Sequence, residues 1–255
     1  MKQIEFEIEE LVSMRKYPSA LFYRGNLELL KKPKVSIVGS RRPNQYAAKM
    51  TYRVAAALAA RGVVVVSGAA MGVDAIAHRG AGAKSTVAVL PNGFGVYYPS
   101  VNRSLIEEIE SDGLVLSQFE PGLKAAPWSF VVRNETVVAL GDVLVVTQAD
   151  ENSGSMKSVE FAKRMGKRIY VLPHRIGESD GTNGLLAEGS AEAIYDIDAF
   201  AECFGEEKSS LGDPFLDFCS GHPTYEEVLE KFKERLFEAE LEGSVVVRNG
   251  RVMPV

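Results

Sequence analysis

The sequence predicts an α/β protein: a Rossmann-like, mostly parallel sheet with helices on both faces, followed by a small winged-helix-like C-terminal domain. Three observations lead there. Between Lys34 and Asp196, short β-branched runs alternate with helical stretches, the pattern of a sheet built from strand–helix–strand crossovers. Runs such as Val63–Ser67 are apolar at successive positions, as strands covered on both faces require. After Phe204 the polar stretch 205–213 reads as a linker, and the remaining residues read as two helices and a hairpin.

The elements follow in order. Residues 1–33 form an amphipathic lead-in, punctuated by Tyr17-Pro18 and Gly25-Asn26. Strands are expected at Lys34–Gly39, Val63–Ser67, Thr86–Leu90, Leu114–Phe119, Val143–Gln148, Arg168–Leu172 and Ala193–Asp196. Helices are expected at Gln45–Ala60, Asp74–Ala81, Arg103–Ser111, Phe130–Leu140, Ser155–Met165 and Gly184–Glu188, from apolar residues at three and four spacing. In the tail, Phe215–Cys219 and Tyr225–Glu240 are helical, and Asn249-Gly250 turns a hairpin. The domains are therefore 1–33, 34–204 and 214–255, with the linker 205–213 between the last two.

Composition narrows the class. The 255 residues are 46% hydrophobic and 25% charged, which suits one sizeable globular domain and a small one. No apolar run approaches the ~18 residues of a membrane span, and the acidic Met1–Glu10 does not resemble a signal peptide. Two cysteines, Cys203 and Cys219, fit a reduced, cytoplasmic protein. The net charge of −5 argues against nucleic acid only until its distribution is read. From Lys34 to Ser100 there are eight basic residues and one acid, Asp74. A basic block within an acidic chain can form a local phosphate-binding face.

The unusual residues stand after strands, where open α/β sheets bind ligands. Gly39-Ser40-Arg41-Arg42-Pro43 joins a tight backbone turn to two guanidinium forks suited to phosphate. Ser67-Gly68-Ala69-Ala70-Met71-Gly72 is small enough for a ligand to approach the backbone. Ser153-Gly154-Ser155-Met156-Lys157 leads into a helix, where exposed N–H groups hold anions. Lys157 opposes the helix dipole there, a mild cost that a bound phosphate would offset. Phe130 with Arg133 and Asn134 brings a stacking ring beside polar groups. Asp74 and His78 suggest a catalytic pair, but capping and packing explain them better because no nucleophile with a supporting base accompanies them.

Together these stretches resemble the DprA (Smf) family. The resemblance rests on Gly39-Ser40-Arg41, Ser67-Gly68, Met71-Gly72-Val73-Asp74 with Ala77-His78, Tyr98-Pro99, Phe130 with Arg133-Asn134, Ser153-Gly154-Ser155 and Gly181-Thr182-Asn183. It spans about residues 17–200, and the tail around Leu241-Glu242-Gly243 is similar to that family's winged helix. It implies a homodimer that binds single-stranded DNA without catalysis, metal or cofactor, protects it, and loads RecA recombinase in natural transformation. The implied DNA pocket falls on Arg41, Arg42, Ser67, Gly68, Arg133, Asn134, Gly154, Ser155 and Lys157, with Phe130 as the stacking ring. Two positions depart from the family: Glu135 where an arginine is usual, and Gln118 where a glutamate is usual. The strand at residue 34 also comes early, without the N-terminal helical extension of longer members.

Two other readings share this crevice. A LOG-type nucleotide phosphoribohydrolase would carry PGGxGTxxE. The comparable segment, Glu151 to Glu160, has neither the double glycine nor the threonine. A nucleotide-binding sensor would use the same loops without catalysis. The acidic C-terminal tail, with Glu226, Glu227, Glu230 and Glu234, points away from duplex DNA and towards protein contact.

Overall fold

The computed structural model describes residues 1–205, 214–221, 223–248 and 250–254. The chain folds as two compact units, Met1–Glu206 and Glu207–Val255. The linker at 206–213 and the turn residue Asn249 lie outside the described residues.

In the first unit the chain runs β1 (Lys2–Gln3), β2 (Phe22–Gly25), β3 (Lys34–Val38), α1 (Gln45–Ala60), β4 (Val64–Ser67), α2 (Val73–Ala81) and β5 (Thr86–Val89). It continues through α3 (Arg103–Asp112), β6 (Leu114–Ser117), α4 (Pro127–Leu140), β7 (Val143–Val146) and α5 (Gly154–Arg164). The last elements are β8 (Ile169–Val171), α6 (Asp180–Ala187), β9 (Glu192–Ala193) and α7 (Ile197–Glu202). The sheet order is β1-β2-β6-β5-β4-β3-β7-β8-β9. All pairings from β6 to β9 are parallel, whereas β1 and β2 are antiparallel.

This is the Rossmann-like sheet with helices on both faces that the sequence predicts. Alternation along the strands separates the two layers. Val38, Val64, Val66, Val87, Leu116, Leu144 and Val171 join one core with residues of α4 and α5. Val35, Ile37, Val65, Val145 and Tyr170 point the other way, into a core with α1, α2 and α7. Ala88, Leu90 and Val115 meet α3 on that second face. Every residue of β3 to β8 is buried, which is why the strands read as unbroken apolar runs.

The lead-in differs from the expectation for residues 1–33. It supplies β1 and β2, which extend the sheet beyond β6, while Ile4, Ile8, Leu11 and Met14 cap one core. These strands are two and four residues long, too short for periodicity to reveal. Helix α7 is a further element beyond those the sequence predicts. Asp196 caps it, accepting from the N–H groups of Asp198 and Ala199, and Phe200 packs against Tyr170 with ring centroids 5.0 Å apart.

The second unit contains α8 (Pro214–Ser220), α9 (Tyr225–Glu242), β10 (Val245–Arg248) and β11 (Arg251–Pro254). The two strands form an antiparallel hairpin. Thr224 and Glu227 make a reciprocal capping box at the start of α9, and Gly243 ends it in the left-handed conformation. Phe215, Val228, Leu236, Val245 and Val252 form its core. Two helices and a hairpin are thus present, as the tail predicts. No described helix is long and apolar enough to cross a membrane.

Candidate nucleic-acid interface

After β3 the chain forms β4, β5 and β6 to one side, then returns to add β7, β8 and β9 on the other. Strand order therefore reverses between β3 and β7, and the loops after these strands diverge to leave a crevice. A cleft of about 580 Å³ occupies this place. Gly39, Ser40 and Arg41 after β3 form one wall, with Ala70 and Asp74 behind them. The N-terminal part of α4 and the first turn of α5 supply much of the remainder, including Phe130, Arg133, Asn134, Gly154, Ser155 and Lys157, with Asp150 and Ser153 from the loop after β7.

The loops are held together by backbone hydrogen bonds. Val73 donates its N–H to Ser40 O at 3.1 Å, and Ser40 donates to Gln148 O at 2.8 Å. Gly72 permits this approach: its φ is +77°, and a Cβ there would lie 2.4 Å from Ser40 O. Behind α5, Ser179 Oγ accepts from Ala149 N at 3.0 Å and Thr182 donates to Ser179 Oγ at 2.7 Å. The motif Gly181-Thr182-Asn183 thus shapes the loop after β7 from outside the cleft.

Arg133 is the unusual group. Its side chain is only 4% exposed, and Nη1 lies 3.5 Å from Asp74 Oδ2. Burial pulls the guanidinium below its ordinary pKa, and Asp74 opposes that fall. The same burial pushes the Asp74 carboxyl upward, against the pull of Arg133. Each therefore offsets part of the cost of burying the other. The guanidinium occupies the space a side chain would take at Gly68, where a Cβ would stand 1.0 Å from Nη1.

Phe130 stands at the front of this pair. Arg41 lies over its ring at 5.3 Å and Arg133 at 6.0 Å, both within cation–π range. Tyr98 meets it edge-on with centroids 5.5 Å apart. The hydroxyls of Ser153 and Ser158 at the start of α5, and the Nε of Arg133, are buried without a hydrogen-bond partner among the described residues. Buried polar atoms are normally satisfied, and these three lie around the cleft. The N-terminus of α5 points there too, and its first N–H groups have no intrahelical acceptor.

Seven residues expected at the site line the cleft: Arg41, Phe130, Arg133, Asn134, Gly154, Ser155 and Lys157. Three do not. Ser67 is fully buried and its hydroxyl donates to Ile37 O at 2.7 Å, so it ties β4 to β3 behind the wall. Gly68 faces Arg133 instead of the opening. Arg42 is exposed beside the cleft, its N–H donating to Ser40 Oγ at 3.1 Å. Sequence reasoning missed Ser158 and Val131, both on the cleft wall. Ser158 stands four residues after Gly154, hence on the same helix face, a spacing that would have found it.

The suspected catalytic residues are occupied otherwise. His78 is buried, with Nδ1 2.6 Å from Thr86 Oγ1. Because Thr86 donates to Val65 O at 2.7 Å, its oxygen accepts from His78, which places the proton on Nδ1. Burial, with Arg133 nearby, lowers the imidazole pKa to about 3. Glu160 is exposed and paired with Lys157 at 2.8 Å. Glu135, the departure from the family pattern, turns away from the cleft: it accepts from Arg15 N at 2.9 Å and pairs with Arg164.

A family model for DNA recombination-mediator protein A matches residues 7–205. The chain belongs to the DNA recombination-mediator protein A family. Among its relatives, DNA processing protein DprA of Streptococcus pneumoniae is 39% identical over 190 residues, covering 72% of this chain and 67% of that protein. The Bacillus subtilis DprA is 30% identical over 203 residues, 78% and 68% of the two chains. Protein Smf of Synechocystis is 33% identical over 185 residues, covering 69% of this chain, which spans 46% of that longer relative. The solved structure of DNA processing protein A from Helicobacter pylori, which concerns its single-stranded DNA binding mode, matches with a TM-score of 0.77 at 39% identity. It covers 79% of this chain and 94% of that one. The S. pneumoniae DprA structure matches with a TM-score of 0.73 at 36% identity, 79% and 73% of the chains. This family membership bears out the family resemblance read from the loop motifs.

Proposed function

We propose that this family member binds single-stranded DNA in the cleft between β3 and β7, protects it, and passes it to RecA during natural transformation, acting as a homodimer. One observation carries the DNA reading: a ring flanked by two guanidinium groups faces buried, unpaired hydroxyls at a helix N-terminus. A nucleotide needs both parts, a face for its base and donors for its phosphate. Phe130 takes the base, with Arg41 and Tyr98 fixing the ring. Ser153, Ser155, Ser158 and Lys157 take the phosphate. The H. pylori relative supports this choice of ligand.

The reading is tested by fluorescence anisotropy with labelled single- and double-stranded oligonucleotides across a salt series. Single strands should bind more tightly, with little sequence preference and weaker binding as salt rises. Arg41→Ala with Arg42→Ala should lower affinity several-fold in a folded protein. Equal affinity for duplex and single strand defeats the reading, and tighter binding of AMP or ATP than of the oligonucleotide would transfer the cleft to a nucleotide sensor. For transfer to RecA, filament growth on the bound strand should start sooner with this protein than without it.

A further inference from the structure

Helix α1 begins where the cleft ends. Arg41 lines the cleft, Arg42 follows, and Asn44 caps α1 by accepting from Ala47 N at 2.8 Å. From Val35 to Val73 the sequence holds no acidic residue. The buried face of α1 is Ala47, Thr51, Val54, Ala55 and Leu58. Its exposed face carries Tyr46, Lys49, Tyr52 and Arg53. At 100° per residue, Tyr46, Lys49 and Arg53 fall in one stripe with Tyr52 alongside.

These side chains are available. Tyr46 is 42% exposed and Tyr52 49%. Neither Lys49 nor Arg53 makes an ion pair with any described residue. Some exposed cations are neutralised by a neighbouring carboxylate, as Lys157 is by Glu160, Lys163 by Glu188 and Arg103 by Glu107. Tyr46 is also held in place. His174 meets its ring edge-on at 5.3 Å, and His174 Nε2 donates to Thr147 O at 2.7 Å. The stripe stops at the other end of the helix, where Arg61 pairs with Glu202 at 2.7 Å.

We propose that the outer face of α1 is a second contact track for the same DNA strand, with Tyr46 stacking a base and Lys49 and Arg53 meeting phosphates beyond the cleft. The track rests on the cleft reading, because the cleft delivers the strand to Arg42. An aromatic alternating with unpaired cations is what a sequence-tolerant single-strand path needs. Lys49 and Arg53 lie one turn apart, about 6 Å along the axis, a spacing that adjacent phosphates of an extended strand can match.

The test uses the full chain and oligo(dT) of two lengths, about six and about twenty nucleotides, the shorter near the low end of single-strand site sizes. In Lys49→Glu/Arg53→Glu the short oligonucleotide should bind as in wild type. The long one should lose roughly ten-fold at low salt, and its log K against log salt slope should become shallower by about 1.4, from two phosphate contacts at about 0.7 each. Lys49→Gln/Arg53→Gln should show the same slope change with a smaller loss, and Tyr46→Ala should weaken only the long oligonucleotide. An unchanged slope for the long oligonucleotide overturns the track, and so does an equal loss on both lengths. If instead wild type fails to bind the short oligonucleotide, or Arg41→Ala leaves its binding intact, the cleft reading has failed.

Discussion

Replacing Gly68 by alanine is the sharpest probe of the buried pair. The new Cβ would stand 1.0 Å from Arg133 Nη1, 2.2 Å from Cζ and 2.8 Å from Asp74 Oδ2. The guanidinium is the part able to move, and it must retreat by about 2 Å to reach even a tight contact. Retreat carries it off Asp74, which already sits at 3.5 Å, and leaves a buried carboxylate uncompensated. Breaking a buried pair in this way costs about 3–5 kcal/mol. In an Arg133→Ala background the guanidinium clash is gone and only the 2.8 Å approach to Asp74 Oδ2 remains, so adding Gly68→Ala should cost much less there. Urea unfolding of the four proteins closes a double-mutant cycle, and a coupling of at least ~2 kcal/mol is expected. DNA affinity should fall in Gly68→Ala alone, because Arg133 no longer supports Phe130. If Gly68→Ala costs the same in both backgrounds, the glycine is not there for Arg133 and the argument fails.

Phe130→Ala should weaken single-strand binding by the ~1–3 kcal/mol of one stacked base, read by anisotropy, and the loss should be similar for dT and dA strands. His78 makes stability depend on pH: its folded pKa of about 3 lies below the ordinary value of 6.5. Its contribution is therefore complete above about pH 6.5 and is lost as pH falls towards 3, by roughly 2 kcal/mol at pH 5. His78→Asn, which retains a donor for Thr86, should flatten the pH 5–7 slope of thermal stability; an unchanged slope would show that folding leaves the His78 pKa where it is in the unfolded chain. Lys157→Glu should weaken DNA binding while shifting the melting temperature little. The better dipole match is offset by loss of the exposed Glu160 pair, each worth only a few tenths of a kcal/mol, and normal binding would mark Lys157 as a bystander.

The parallel sheet was legible because its strands are buried on both faces and so consist of uninterrupted apolar runs, as at Val63–Val66. Helix α1 was legible because its alanines and apolar residues recur at three and four spacing. The loops of the cleft were legible through residue types that matter only where backbone approaches backbone or ligand, namely Gly39-Ser40-Arg41 and Ser153-Gly154-Ser155. Such signals are local: each depends on neighbours within a turn or two of chain.

What the chain order could not reveal was which local features face one another. Ser67 and Arg41 read alike as candidates, and only the register of β4 against β3 turns the Ser67 hydroxyl inward to Ile37 while Arg41 faces the cleft. Arg133 reads as a phosphate ligand, but packing places it against Asp74, 59 residues earlier in sequence, in the space left by Gly68. Glu135 reads as a charge set against DNA, yet helix phase turns it to Arg164 on α5. Sequence alone determined this protein's layers, its strand ends and the chemistry available there. Tertiary structure decided which of those groups are free to meet a ligand, because burial and pairing depend on residues far apart in the chain coming together.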